Sequence, residues 1–154
     1  MITERLTDDL KAAMRAGDKT RVRTIRSLRA ALTEREIQSR QGGEGSISET
    51  EALAVLQKQA KQRRDSIEQF EAAGRQDLVD KEEDELAIIE EYLPRQMSDD
   101  ELRAVLHEVI AATGAASPRD LGKVMGAAIE RTRGLADGKR VSEMARELLS
   151  GGQP

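Results

Sequence analysis

Apolar residues recur at helical spacing along almost the whole chain, and glycine, serine and proline punctuate them. Seven helices are predicted from this pattern. The first runs from about Thr3 to Ala16 and stops at Gly17, a natural C-terminal cap. Asp18 caps the second, about Lys19 to Gln41. The run Gly42-Gly-Glu-Gly45 breaks that helix, and Ser46 and Ser48 are candidate caps for the third, about Glu49 to Ala73, which ends at Gly74. The fourth runs from about Gln76 to Tyr92 and halts before Pro94. In the fifth, Ser98 and Glu101 make a capping box, each side chain able to bond the other's backbone N–H, and the helix continues to Thr113 with Gly114 at its end. Ser117 and Pro118 begin the sixth, as cap and first helical residue. The seventh spans about Gly138 to Leu149, and residues 150–154 are expected to form a frayed tail.

Within these segments the stripes are regular. Leu53, Leu56, Ala60, Arg63, Ile67 and Phe70 are spaced 3,4,3,4,3, a heptad-like seam containing one arginine and able to pair between copies. Leu102, Val105, Leu106 and Val109 form one face of the fifth helix, and His107 falls off it, as an exposed helix residue would. Leu121, Val124, Met125 and Ala128 make the buried face of the sixth. The expected fold is all-α and monomeric or weakly associating. An N-terminal multihelical bundle occupies residues 1–95, and a small three-helix domain occupies 96–149, with the boundary at Arg95-Gln-Met97.

Composition sharpens this picture. Charged residues make up 35% of the 154, and aromatic residues 1%, which favours helix over sheet. Leu, Ile, Val and Phe together are only about a fifth of the chain, so alanine must help to fill the core. With no cysteine and one histidine, disulfides, thiolate zinc sites, cysteine nucleophiles and multi-histidine metal sites are excluded. No apolar run is long enough to cross a membrane. The first ten residues carry acids and lack a long apolar core, so neither a secretory signal nor a transit peptide is expected and a cytoplasmic protein is the default.

The net charge of −4 conceals an asymmetry. Residues 1–41 carry ten bases and six acids, and the remainder fifteen bases and twenty-three acids. Lys19, Arg23 and Arg26 share a helical face opposite Val22, Ile25, Leu28 and Leu32, which is a solvated face or a phosphate-contacting stripe. The acidic run Asp80–Glu91 is a solvated face or a partner for that basic helix.

Gly122 and Gly126 lie four apart on one face of the sixth helix. Glycine in a helix costs ~1 kcal/mol relative to alanine, so this pair suggests the close approach of another backbone. Tight helix–helix packing and contact with a nucleic-acid backbone are both open readings. Around it stand Arg119, Lys123, Arg131, Arg133, Lys139 and Arg140, and Gly134 and Gly138 would let the connecting turn lie close to a partner. One phenylalanine and one tyrosine give no base-stacking platform, which speaks against sequence-specific reading of single strands and leaves recognition of folded RNA by shape and phosphates. No catalytic constellation, cofactor motif or metal-ligand set is expected. Gly122-Lys123-Val124 lacks the hydroxyl and the upstream strand of a phosphate loop, and there is neither a Gly-x-Ser-x-Gly elbow nor an amidase Ser-cis-Ser-Lys cassette.

Several separated motifs occur in a telling order: Asp65-Ser-Ile-Glu-Gln-Phe70, Ala73-Gly-Arg-Gln-Asp-Leu-Val-Asp-Lys81, Glu85-Leu-Ala-Ile-Ile-Glu-Glu-Tyr-Leu-Pro94 and Gly122-Lys-Val-Met-Gly126. Through them the whole chain resembles the YqeY-like proteins, small proteins of the GatB/YqeY domain family. The last third, with its basic turn Arg133-Gly-Leu-Ala-Asp-Gly138, also resembles the tail of the GatB component of the tRNA-dependent amidotransferases. The resemblance implies an all-helical fold and a tail of the kind that helps hold tRNA in those enzymes. Their glutamine-dependent carbon–nitrogen ligase chemistry resides in parts absent from this chain. The expectation is a non-catalytic module that binds tRNA or another structured RNA. The alternative is a protein-interaction or accessory component working with an amidotransferase subunit as partner.

Overall fold

Each helix begins and ends where local chemistry can satisfy its free backbone groups. The computed structural model describes residues 1–40 and 45–151 of the chain. Gln41, the predicted end of the second helix, residues 42–44 of the predicted Gly42–Gly45 break, and the last three residues of the predicted frayed tail lie outside the described residues. Among those described, helices α1 (Ile2–Ala16), α2 (Lys19–Ser39), α3 (Glu49–Ala72), α4 (Gln76–Glu90), α5 (Asp99–Thr113), α6 (Leu121–Thr132) and α7 (Gly138–Leu149) follow one another without a strand. The fold is all-α.

The end signals work as physical devices. Gly17, Gly74 and Gly114 adopt left-handed φ values near 70°, which residues with a Cβ reach only at a cost. The Asp18 carboxylate accepts from the Arg21 N–H at 3.0 Å. Of the two candidate serines before α3, Ser48 is the cap, accepting from the Glu51 N–H at 3.1 Å while the Glu51 side chain accepts from the Ser48 N–H at 2.9 Å. Ser98 and Glu101 form the predicted box at 3.1 and 2.8 Å. One start differs from expectation. Pro118–Asp120 form a separate 3₁₀ turn before α6, and Ser117 makes no side-chain cap. The Asp120 carboxylate accepts from the Ala116 N–H instead, at 2.9 Å, so the turn is closed from its far end.

The chain divides between Leu93 and Pro94 into two units, each packed on itself. In the first, Leu6 and Leu10 of α1, Ile25, Leu28 and Leu32 of α2, Ala52, Leu56 and Ala60 of α3, and Ile88 and Ile89 of α4 share one core with Tyr92. The heptad-like seam of α3 is used within the chain, since Leu56 and Ala60 are fully buried there. Tyr92 lies just past α4 in a turn, where its hydroxyl donates to Asp9 and its ring carries the Arg5 guanidinium 4.5 Å from the centroid. Burial and the Asp9 carboxylate both push the Tyr92 hydroxyl above its ordinary pKa.

In the second unit, Leu102, Leu106 and Val109 of α5 pack with Val124 and Ala128 of α6 and with Val141, Ala145 and Leu149 of α7. Buried alanines stand among the leucines and valines, as the shortage of large apolar residues requires. The segment before α5 is tied to the α6–α7 turn. The Met97 N–H donates to the Leu135 carbonyl at 2.7 Å, the Gln96 amide to the Gly134 carbonyl at 3.1 Å, and Arg140 to the Met97 carbonyl at 2.9 Å.

Candidate nucleic-acid interface

Helix α6 buries Val124 and Ala128 and turns Gly122, Lys123 and Gly126 to solvent. A Cβ built on Gly122 or Gly126 meets nothing within 4 Å. This corrects the expectation of tight helix–helix packing within the chain. The apolar stripe of α6 is already satisfied by α5 and α7, so the glycine face is left open. The glycines therefore carry a helix-propensity cost for which the described residues supply no packing reason.

The six bases fall into two groups by position. Arg119 and Lys123 stand at the start of α6, and Arg131, Arg133, Lys139 and Arg140 surround the α6–α7 turn. Roughly 12 Å of helix separates Lys123 from Arg131 at 1.5 Å per residue. Not all of these bases face solvent unengaged. Lys123 lies 3.5 Å from Asp120, Arg131 2.6 Å from Glu108, and Arg140 2.7 Å from Asp99. Arg119 and Arg133 are exposed. Gly134 has a φ of 76° and begins the turn, while Gly138 opens α7 with its Cβ position 3.7 Å from Ile129, an ordinary contact.

Two carboxylates in this unit are held in the charged form. The Arg95 guanidinium, at 2.8 Å, and the Ser98 N–H bring the Glu101 carboxyl down to about 2. The Ala116 N–H, followed by Lys123, lowers Asp120. Glu101 closes the start of α5, and Asp120 closes the 3₁₀ turn before α6 and holds Lys123. Among the described residues no group of three or more His, Asp or Glu side chains is disposed to hold a metal ion, and no helix is long and apolar enough to cross a membrane. His107 is exposed on α5.

Helix α2 is partly neutralised by the acidic run, on its basic face at Arg23 alone. Arg21 pairs with Glu91 at 2.5 Å and Arg23 with Glu85 at 3.0 Å. The first expectation for that run, a solvated face, fails at Glu85, whose side chain is only 9% exposed. Glu85 also receives Arg63 of α3 at 3.0 Å, and Glu82 lies 3.4 Å from the same guanidinium. The Arg63 Nε and Glu82 Oε2 atoms are close in charge but not aligned as a hydrogen bond. This half-buried cluster joins α2, α3 and α4. Arg63 in an otherwise apolar seam is its one signal in sequence, while its acidic partners are hidden among seven acids in twelve residues.

A family profile described as Yqey-like protein matches residues 3–149. Among curated proteins, the chain is 39% identical over 116 residues to Altered inheritance of mitochondria protein 41, mitochondrial, of Eremothecium gossypii, covering 71% of this chain and 62% of the relative. The protein of the same name from Pyrenophora tritici-repentis is 29% identical over 153 residues, covering 97% and 81%. The one from Lachancea thermotolerans is 42% identical over 88 residues, covering 57% and 46%. The chain thus spans between about half and four-fifths of these relatives. All three are mitochondrial by name, which overturns the cytoplasmic expectation. That expectation rested on the lack of a leader-like pattern in the first ten residues, and such a pattern does not determine where a folded domain works. The extent of the profile match, from the first helix to the last, decides the family: the chain belongs to the YqeY-like proteins.

Proposed function

We propose that the C-terminal unit is a non-catalytic module that binds structured RNA, tRNA foremost, through phosphate contacts. The observation that carries this reading is the open face of α6. Two glycines there let a sugar–phosphate backbone come within reach of the helix, and Arg119 and Lys123 flank the same end. Arg133 and the Gly134–Gly138 turn offer a second point of contact with Arg131, Lys139 and Arg140. An exposed ion pair such as Arg131–Glu108 is worth ~0–1 kcal/mol, so a phosphate can replace the carboxylate at small cost. Such contacts position a nucleic acid without reading its sequence. The likeness of this third to the GatB tail of the amidotransferases supports the choice of tRNA.

The test is a charge reversal on the exposed bases. Lys123→Glu with Arg133→Glu should weaken binding of total tRNA at least tenfold and leave helicity intact. The competing reading, a partner protein such as an amidotransferase subunit docking a helix on the Gly122–Gly126 face, predicts little response to that reversal. It predicts instead a salt-resistant protein complex disrupted by Gly126→Leu.

A further inference from the structure

The corner between α1 and α2 carries a groove that the RNA reading does not use. It measures about 490 Å³ and is lined by Met14, Gly17, Lys19, Val22, Arg23 and Arg26, with no acid among them. Met14 is 55% exposed, one of three large apolar side chains so exposed among the described residues. Val22 lies beside the bases rather than opposite them as its spacing suggested, with its inner side on the core of the first unit and its outer side in the groove. Along α2 the three bases are spaced 4 and 3, a stripe about 10 Å long at 1.5 Å per residue. Arg23 is engaged by Glu85 through Nε and stays half exposed. Lys19 and Arg26 are exposed and take no ion pair among the described residues.

We infer that this groove docks an acidic amphipathic helix of a partner protein. Its apolar residue would sit on Met14 and Val22, and its carboxylates, spaced 3 and 4, would face Lys19, Arg23 and Arg26. Charge complementarity selects the partner's sign. The matching helical period selects its form, since a stripe of bases at 4,3 spacing is met residue for residue by acids at the same period. The apolar floor distinguishes this occupant from RNA, because Met14 and Val22 offer nothing to a phosphate backbone and no aromatic ring is present to stack a base. The groove is shallow and open, which suits a helix lying across it better than a small ligand, which would need enclosure.

The test uses the full chain and a defined probe: a fluorescein-labelled helical 15-mer with two leucines four apart, flanked by glutamates at 3,4 spacing. Anisotropy should show saturable binding that weakens as salt rises. Lys19→Glu with Arg26→Glu should lower the affinity at least tenfold, and Met14→Gln several-fold without changing the salt dependence. Lys123→Glu with Arg133→Glu should leave it unchanged, so that failure here and failure of the RNA reading are told apart. All of these positions are exposed, and unaltered circular dichroism would confirm folding. The inference is overturned if the probe does not saturate, if a glutamine-substituted probe binds equally well, or if the Lys19/Arg26 reversal has no effect. It is equally overturned if that reversal abolishes binding only to total tRNA or to phosphatidylglycerol vesicles, which would make the stripe a phosphate or membrane contact.

Discussion

At the scale of single residues, Gly122 and Gly126 separate folding from function. Neither has a strained φ, and neither has a neighbour that a methyl group would strike. Alanine at either position should therefore raise the unfolding free energy of the protein by ~1 kcal/mol through helix propensity. The same substitution should weaken RNA binding, because the Cβ stands where a backbone is to approach. Urea titration and filter binding on Gly126→Ala check both halves, and a loss of stability would show that the face is packed after all. Glu101 supplies a second residue-scale prediction. Its folded carboxyl lies at about 2, against an ordinary value of 4.5. A depressed carboxylate stabilises the fold above the unfolded value, and this contribution is lost as pH falls from about 4.5 toward about 2. An NMR titration should place the midpoint near 2, and Arg95→Ala should raise it, since the guanidinium is the largest cause of the shift. A midpoint unmoved by that substitution would contradict the assignment.

At the scale of elements, the ion cluster at Arg63, Glu82, Glu85 and Arg23 decides how α2, α3 and α4 meet. Glu85→Gln leaves Arg63 with Glu82 alone, which is not aligned to it as a hydrogen bond, and Arg23 half exposed, so it should cost about 3 kcal/mol, the low end for a buried pair. Replacing the pair with apolar residues, Arg63→Met with Glu85→Leu, should recover most of that loss, as measured by a double-mutant cycle. An additive cycle would mean that the two side chains do not depend on each other. This cluster also marks what a sequence can convey. Helix starts and stops are legible because Asp18, Ser98, Gly17 and Gly114 act on backbone groups within four residues of themselves. The Ser48–Glu51 box is equally local, and only the choice between Ser46 and Ser48 is open. The 3₁₀ turn at Pro118–Asp120 reads in sequence as the first turn of α6, since proline and serine mark both structures alike. The Arg63–Glu85 contact spans two helices, and periodicity does not state which acid of a dense run an arginine will meet. The direction of the Gly122–Gly126 face is likewise undetermined, because glycine carries no hydropathy to show whether it packs or faces solvent. For the six candidate RNA-contacting bases, sequence supplies the positions but not the carboxylates that engage Lys123, Arg131 and Arg140.

At the scale of the whole molecule, charge sets the conditions under which any anion can bind. The chain carries 29 acids and 25 bases, so a polyanion meets net repulsion at long range and attraction only at local basic surfaces. The acidic run takes Arg21 out of play and ties the Nε of Arg23, which stays half exposed, while the acids that engage Arg131 and Arg140 are exposed. Binding to RNA should accordingly involve few phosphates, be weak, and depend on salt with a shallow slope. The most direct measurement is the affinity of the full chain for total tRNA at about 50 and about 200 mM salt. Two to three neutralised phosphates give a logarithmic slope of about −1.8 to −2.7, so affinity should fall roughly 12- to 42-fold across that range. Lys123→Glu with Arg133→Glu should flatten the slope and weaken binding at both salts. Absence of binding at about 50 mM salt, or an affinity that the double reversal leaves unchanged, would contradict the account.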